Sequence, residues 1–227
     1  MSKNIVDPAE LIRQQIEGMS ARISPGEESG EIPVIRVTQD KQFIVPPNTQ
    51  KVPGPLRVVL LDFINQNQFY KKEYQKGDSD PPDCFATAFN LEDLAPNPEH
   101  VEEPVAETCA ECPMAEWGSG KNGGKACKNR RKLAVVLASD DAPDDIYLLS
   151  VSPTAVKAFD KVIDELTRRQ IPMCKVIMEV DFDRQADWAS VRLQPVDENP
   201  KFEEHARRLP DARELLTYVP KPKEDAE

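Results

Sequence analysis

A chain of 227 residues with 39% hydrophobic residues can bury a core as one large domain or two small ones, while 6% aromatics and 21 prolines argue against an all-helical fold. Its longest apolar run, Leu133 to Ala138, is far short of the roughly 20 residues that cross a bilayer, so no membrane span is expected. The net charge of −11 would by itself repel a nucleic-acid backbone, but the average hides a strongly basic block.

Met1 to Pro8 lacks the apolar core of a secretory signal, which predicts a cytoplasmic chain in a reducing compartment with no disulfides. Asp7, Pro8, Leu11, Ile12 and Ile16 predict a short N-terminal helix, and the Gly, Pro, Ser and Glu of Ser24 to Glu31 a flexible link, so residues 1–31 form an arm. Apolar and β-branched runs predict strands at Ile32 to Val37, Leu56 to Ile64, Leu133 to Ala138, Ile146 to Val151, Cys174 to Phe182 and Trp188 to Leu193. Between the fourth and fifth, Ser152 and Pro153 open a helix to Arg169 whose Val156, Phe159, Val162, Ile163 and Leu166 share a face. Asn199 and Pro200 open a helical segment with Phe202, and Pro210 another with Leu215 and Leu216.

The predicted class is therefore α+β, mainly β, with peripheral helices. Strands interrupted by one late helix fit a small barrel, the nearest being the five-stranded oligonucleotide-binding barrel (OB-fold), although one strand is in excess. The core would run over residues 32–219, with an insertion at about 66–131 and an acidic tail at 220–227 that could compete for a basic groove or recruit replication or recombination proteins; a frayed terminus is its plainer reading. The insertion shows little strand or helix pattern, so something other than an apolar core must hold it.

Within it the cysteines Cys84, Cys109, Cys112 and Cys127 are spaced C-x24-C-x2-C-x14-C. Two residues between Cys109 and Cys112 let one tight turn aim both thiolates at a single ion, and two further thiolates complete a tetrahedron with no open position. That predicts a structural Zn2+ site. The alternatives are buried free thiols or a redox pair, but Glu107, Thr108, Glu111, Lys125 and Lys128 do not surround a core, and no strand precedes the CxxC. Cys174 reads as core, and His100 as a solvated side chain that could replace a thiolate.

Lys121, Lys125, Lys128, Arg130, Arg131 and Lys132 bring six positive charges to the stretch between the third ligand and the following strand. Glycines at 118, 120, 123 and 124 would let this backbone approach a ligand closely, and a metal-tethered loop loses little entropy on binding. The fragment from Gly118 to Lys121 lacks the spacing of a phosphate-binding loop, which removes nucleotide hydrolysis from the expectations. Near the first cysteine, Phe69, Tyr70 and Tyr74 interleave with Lys71, Lys72 and Lys76, the mixture that stacks on unpaired bases and tracks phosphates. Trp117 is a further stacking candidate; core aromatics and solvated lysines are the plain reading of all these residues.

Pro81-Pro-Asp-Cys84, Cys109-Ala-Glu-Cys112-Pro, Trp117-Gly-Ser and Gly124-Lys-Ala-Cys127-Lys-Asn-Arg-Arg, followed by the apolar run from Leu133, resemble the zinc-bearing region of bacteriophage single-stranded DNA-binding proteins. The resemblance covers roughly Phe69 to Leu137. It implies Cys84, Cys109, Cys112 and Cys127 as zinc ligands inserted in an oligonucleotide-binding barrel, and places the aromatic and basic residues at or near the DNA. The expected function is sequence-independent coating of single-stranded DNA in replication or recombination, with self-association on DNA and no enzymatic activity. The alternative is a zinc-stabilised protein-interaction module acting on host or phage machinery such as transcription. No grouping of acidic residues with His100 or His205 suggests a nuclease.

Overall fold

The computed structural model describes residues 32–72, 81–139 and 145–218, which belong to one compact unit beginning at Ile32. The predicted N-terminal helix and link, the C-terminal tail, Tyr74 and Lys76 lie outside the described residues. Nine strands form one sheet: β1 (Val34–Val37), β2 (Gln42–Ile44), β3 (Lys51–Pro53), β4 (Leu56–Phe69), β5 (Cys84–Ala88), β6 (Lys128–Leu137), β7 (Tyr147–Val151), β8 (Val176–Phe182) and β9 (Val191–Glu198). The order is β3-β2-β1-β7-β6-β4-β8-β9, antiparallel except for the β1–β7 pair, with β5 added to β4. Among the described residues there are three α-helices, α1 (Val156–Arg168), α2 (Phe202–Arg207) and α3 (Leu209–Thr217). None is long and apolar enough to cross a membrane.

The sheet is curled and open. Phe43 of β2 stacks on Phe182 of β8 with ring centroids 4.5 Å apart, although four strands separate β2 from β8 in the sheet order. The inner face of this half-barrel buries Ile35, Val58, Leu60, Leu133, Val135, Leu149, Met178 and Val180 together with Phe159 and Leu166 of α1. The outer face buries Val59, Leu61, Ile64, Ala134, Val136 and Leu148 under Ala212 and Leu216 of α3. Both faces of β4 at residues 58–61 and of β6 at residues 133–137 are covered, which is why these stretches are continuously apolar rather than alternating. A register shift between Leu60 and Asp62 turns Asp62 outward, where it accepts a 2.7 Å hydrogen bond from Arg213 Nε of α3.

Several boundaries differ from the sequence expectation. β2, β3 and β5 are short and lie among prolines and polar residues, so no period announces them. β4 continues through Phe69 and β6 starts at Lys128, so the ends of the expected insertion are strand, and no strand or α-helix lies between β5 and β6. Trp188 precedes β9 in a turn, its Nε1 donating to Thr154 Oγ1 at 3.2 Å. α1 starts at Val156 after a turn in which Ser152 accepts through its carbonyl, not as a side-chain cap.

Tyr147 is enclosed on the inner face and its hydroxyl has no hydrogen-bond partner among the described residues. An orphan hydroxyl costs desolvation that nothing returns. Tyr147→Phe is therefore expected to leave thermal stability unchanged or raise it by about 1 kcal/mol; a clear loss in a melting curve would contradict this.

Candidate metal centre and basic surface

β4 is longer than its neighbour β8. Its first half pairs with β8, while Asn65 to Phe69 pair with β5 and, on the other edge, with Lys128 to Arg131 of β6. The result is a three-stranded ribbon projecting from the half-barrel. Strand alternation sorts its side chains. Cys84, Ala86, Asn67, Phe69, Asn129 and Arg131 share the inner face, and Gln66, Gln68, Lys128, Arg130 and Lys132 the outer one.

All four predicted ligands converge on the inner face. Cys84 opens β5 opposite Phe69, Cys127 immediately precedes β6, and Cys109 and Cys112 come from the intervening segment. Together with Asn67, Phe69, Ala86, Met114 and Ala115 they line one cavity of about 10 Å³, room for about one water-sized particle. An organic cofactor does not fit; an ion does. All five cysteines are free thiols. Cys112 leads into a short 3-10 turn, Pro113–Ala115, and not the α-helix that a redox CxxC normally opens.

The thiols feel one another. Burial, then the neighbouring Cys109, Cys112 and Cys84, push the Cys127 thiol up to about 12. Burial and then Cys109 and Cys112 raise Cys84 as well. Thiols held above their ordinary value by burial and by one another resist becoming thiolates together, and a divalent cation is the partner that removes the repulsion. Even so, among the described residues no three His, Cys, Asp or Glu side chains already stand in the arrangement that holds a metal ion. Neutral thiols carry no charge that would draw them to a common centre, so an ion would have to gather them.

The segment over this cavity has little else to hold it. From Phe89 to Ala126 the buried apolar side chains among the described residues are Leu94 and Val101. Each contributes about 1.5–3 kcal/mol, whereas ordering a single residue costs about 1–2 kcal/mol. Backbone bonds pin it in places: Asn97 to Phe85 at 2.8 Å, Cys109 to Leu94 at 3.0 Å and Cys127 to Met114 at 2.8 Å.

The glycines shape the loop itself. Gly118 and Gly123 adopt φ of +92° and +75°, values that favour glycine. A Cβ on Gly120 would meet the backbone of Lys125 and Ala126 at 2.8 Å. Ser119 Oγ donates to Glu116 O at 2.6 Å and accepts from Ala126 N at 3.0 Å, closing the knot.

The predicted nucleic-acid residues do not all reach solvent. Trp117 is 79% exposed, with Lys125 Nζ 5.7 Å from its ring centroid. Tyr70, Lys71 and Lys72 are exposed beyond β4, and Lys121 and Lys128 are exposed too. Lys128 Nζ donates to Lys125 O at 2.6 Å. Arg130 lies on the outer face, half-buried, with an enclosed Nε that has no hydrogen-bond partner. Phe69 differs: it points inward and lines the cysteine cavity. Arg131 differs more. Its side chain is 7% exposed and grips Asp160 of α1 through Nε and Nη2, at 3.1 and 2.8 Å, which takes it away from any phosphate. Lys132 Nζ donates to Leu216 O and Tyr218 O, both at 3.1 Å, at the end of α3.

His100 packs edge-on to Phe85 with centroids 6.4 Å apart and does not line the cavity, and Cys174 is buried under α3 as expected. Sequence reasoning missed Asn67 and Asn129, since only the cross-strand register places them at the cavity. Comparison with known proteins gives no match to a family model, a curated protein or a solved structure.

Proposed function

We propose that this chain is a single-stranded DNA-binding protein whose DNA surface is shaped by a zinc ion held on Cys84, Cys109, Cys112 and Cys127. One observation carries the reading: four thiols from separate parts of the chain line one ion-sized cavity beneath a segment with almost no core of its own. Closure of that cavity by a structural ion would fix the loop from Pro113 to Cys127 against the ribbon.

The surface so fixed has the chemistry of a single-strand groove. Trp117 offers an open aromatic face beside Lys125, and Tyr70 a second one beside Lys71 and Lys72. Lys128 and Arg130 add charge on the outer face of the ribbon. The strand order supports the reading as well. β4, β6, β7, then α1, then β8 and β9, with β8 returning to β4, follow the connectivity of an oligonucleotide-binding barrel, left open because β1 takes the free edge of β7. The excess strand in the sequence expectation is then β1. In function this agrees with the phage proteins that the cysteine region resembles.

Titration of a fluorescent oligothymidine tests it. Binding is expected at low salt, with log K falling against log salt by about 0.7 per phosphate contacted. Trp117→Ala should weaken binding by about 1–3 kcal/mol, and reversing the charges of Lys125, Lys128 and Arg130 should flatten the salt slope. No binding at low salt, or affinity indifferent to salt, contradicts the reading. The exposed Leu91 and Val105 favour the second reading, a zinc-stabilised module that docks on a protein.

A further inference from the structure

We propose that Asn129 and Asn67 form a relay that orients one of the thiolates: the Asn129 amide sets the Asn67 side chain so that its N–H is aimed into the cysteine cavity, at a sulfur that lines it. The proposal rests on the metal reading above and names residues outside the ligand set.

Asn67 and Asn129 are direct cross-strand partners on β4 and β6, on the ribbon face that carries the cysteines. Asn129 Nδ2 donates to Asn67 Oδ1 at 2.7 Å. That bond occupies the acceptor end of a planar amide, so its NH2 end is the one left for the cavity. Asn67 is 5% exposed and lines the cavity together with Cys84, Cys109, Cys112 and Cys127.

Burying an amide among thiols and apolar groups is costly unless its donors find a good acceptor. A neutral thiol is a weak acceptor; a thiolate held by a dication is a strong one. Groups that hydrogen-bond a metal ligand fix its direction, and their loss typically costs about 10–100-fold in metal affinity. An N–H directed at the sulfur also withdraws electron density from it, which slows attack by electrophiles.

The near-isosteric Asn129→Asp is the sharpest probe. A carboxylate at 129 accepts but does not donate, so the Asn67 amide must turn its NH2 toward residue 129 and present its oxygen to the cysteine cavity. Cobalt(II) titration of the full chain, followed through the sulfur-to-cobalt charge-transfer band and by zinc competition, reads the effect. Asn129→Asp and Asn67→Ala should each shift the band and weaken binding about 10–100-fold, and zinc release by iodoacetamide should quicken. Asn129→Asp added to Asn67→Ala should change nothing further. The relay is overturned if wild-type chain binds one cobalt and Asn129→Asp keeps its affinity and band, or if Asn129→Asp weakens binding equally with and without Asn67. A wild-type chain that takes up no cobalt overturns the metal reading itself, and the relay with it.

Discussion

Stripping the metal with a chelator at neutral pH is expected to expose the amides of residues 89–127 to rapid hydrogen exchange while those of β4, β7 and β8 stay protected. The half-barrel owes its order to two apolar clusters, one under α1 and one under α3, and neither depends on the cysteines of the cavity. The segment between β5 and β6 buries Leu94 and Val101 and little more. A structural zinc in small domains supplies an apparent 10–16 kcal/mol, so about that order of stabilisation would leave with the ion. Cys109→Ser and Cys127→Ser should reproduce the chelated pattern. Cys174→Ser should not, because Cys174 packs on the outer face away from the cavity. Protection of residues 89–127 that survives both chelation and these substitutions would contradict the account. DNA binding should fall with the metal, since Trp117 and Lys125 sit on the loop that the ion closes.

The second large effect lies at the pair joining β6 to α1. Arg131 is almost wholly enclosed, whereas the side chain of Asp160 is 45% exposed. Removing either partner breaks the two hydrogen bonds between them, and removing Arg131 also loses its 3.1 Å bond from Nη1 to Arg130 O, but the consequences differ. Asp160→Ala strands an enclosed guanidinium and should cost about 3 kcal/mol, roughly 6–12 °C in Tm for a chain of this size. Arg131→Met removes the buried charge, fills the space, and lets Asp160 return to water, so about 1 kcal/mol is expected. Equal losses, or a greater loss from Arg131→Met, would show that the stranded cation is not what makes the pair costly to break. Arg131→Met should also bind single-stranded DNA as the wild type does, unlike charge reversal at Lys128 and Arg130.

The contrast between Arg130 and Arg131 shows where sequence reading stops. Adjacent residues in a basic run look alike in composition, but β6 extends to Lys128 and alternation sends Arg131 inward beneath α1 and Arg130 outward. The same alternation separates Phe69, in the cysteine cavity, from the exposed Tyr70. Continuous apolar runs at residues 58–61 and 133–137 made β4 and β6 legible, because burial on both faces writes itself into every position, and alternation of buried Val176, Met178, Val180 and Phe182 made β8 so. β2, β3 and β5 left no such trace: three to five residues among prolines and polar side chains are ordered by neighbours, not by pattern. The cysteine spacing pointed to convergence because two residues between Cys109 and Cys112 constrain a turn locally. Asn67 and Asn129 stand far apart in the chain, and nothing local marks either. The glycines near Trp117 were legible as special but not in purpose; they allow the loop to fold on itself.

The measurement that bears most directly on the central claim is the metal content of purified, untagged protein by elemental analysis, in the wild type and in single serine replacements of the five cysteines. One zinc per chain is predicted, lost or sharply reduced on replacing Cys84, Cys109, Cys112 or Cys127 and retained on replacing Cys174. A wild-type chain without stoichiometric metal, or a metal content indifferent to which cysteine is changed, would contradict it.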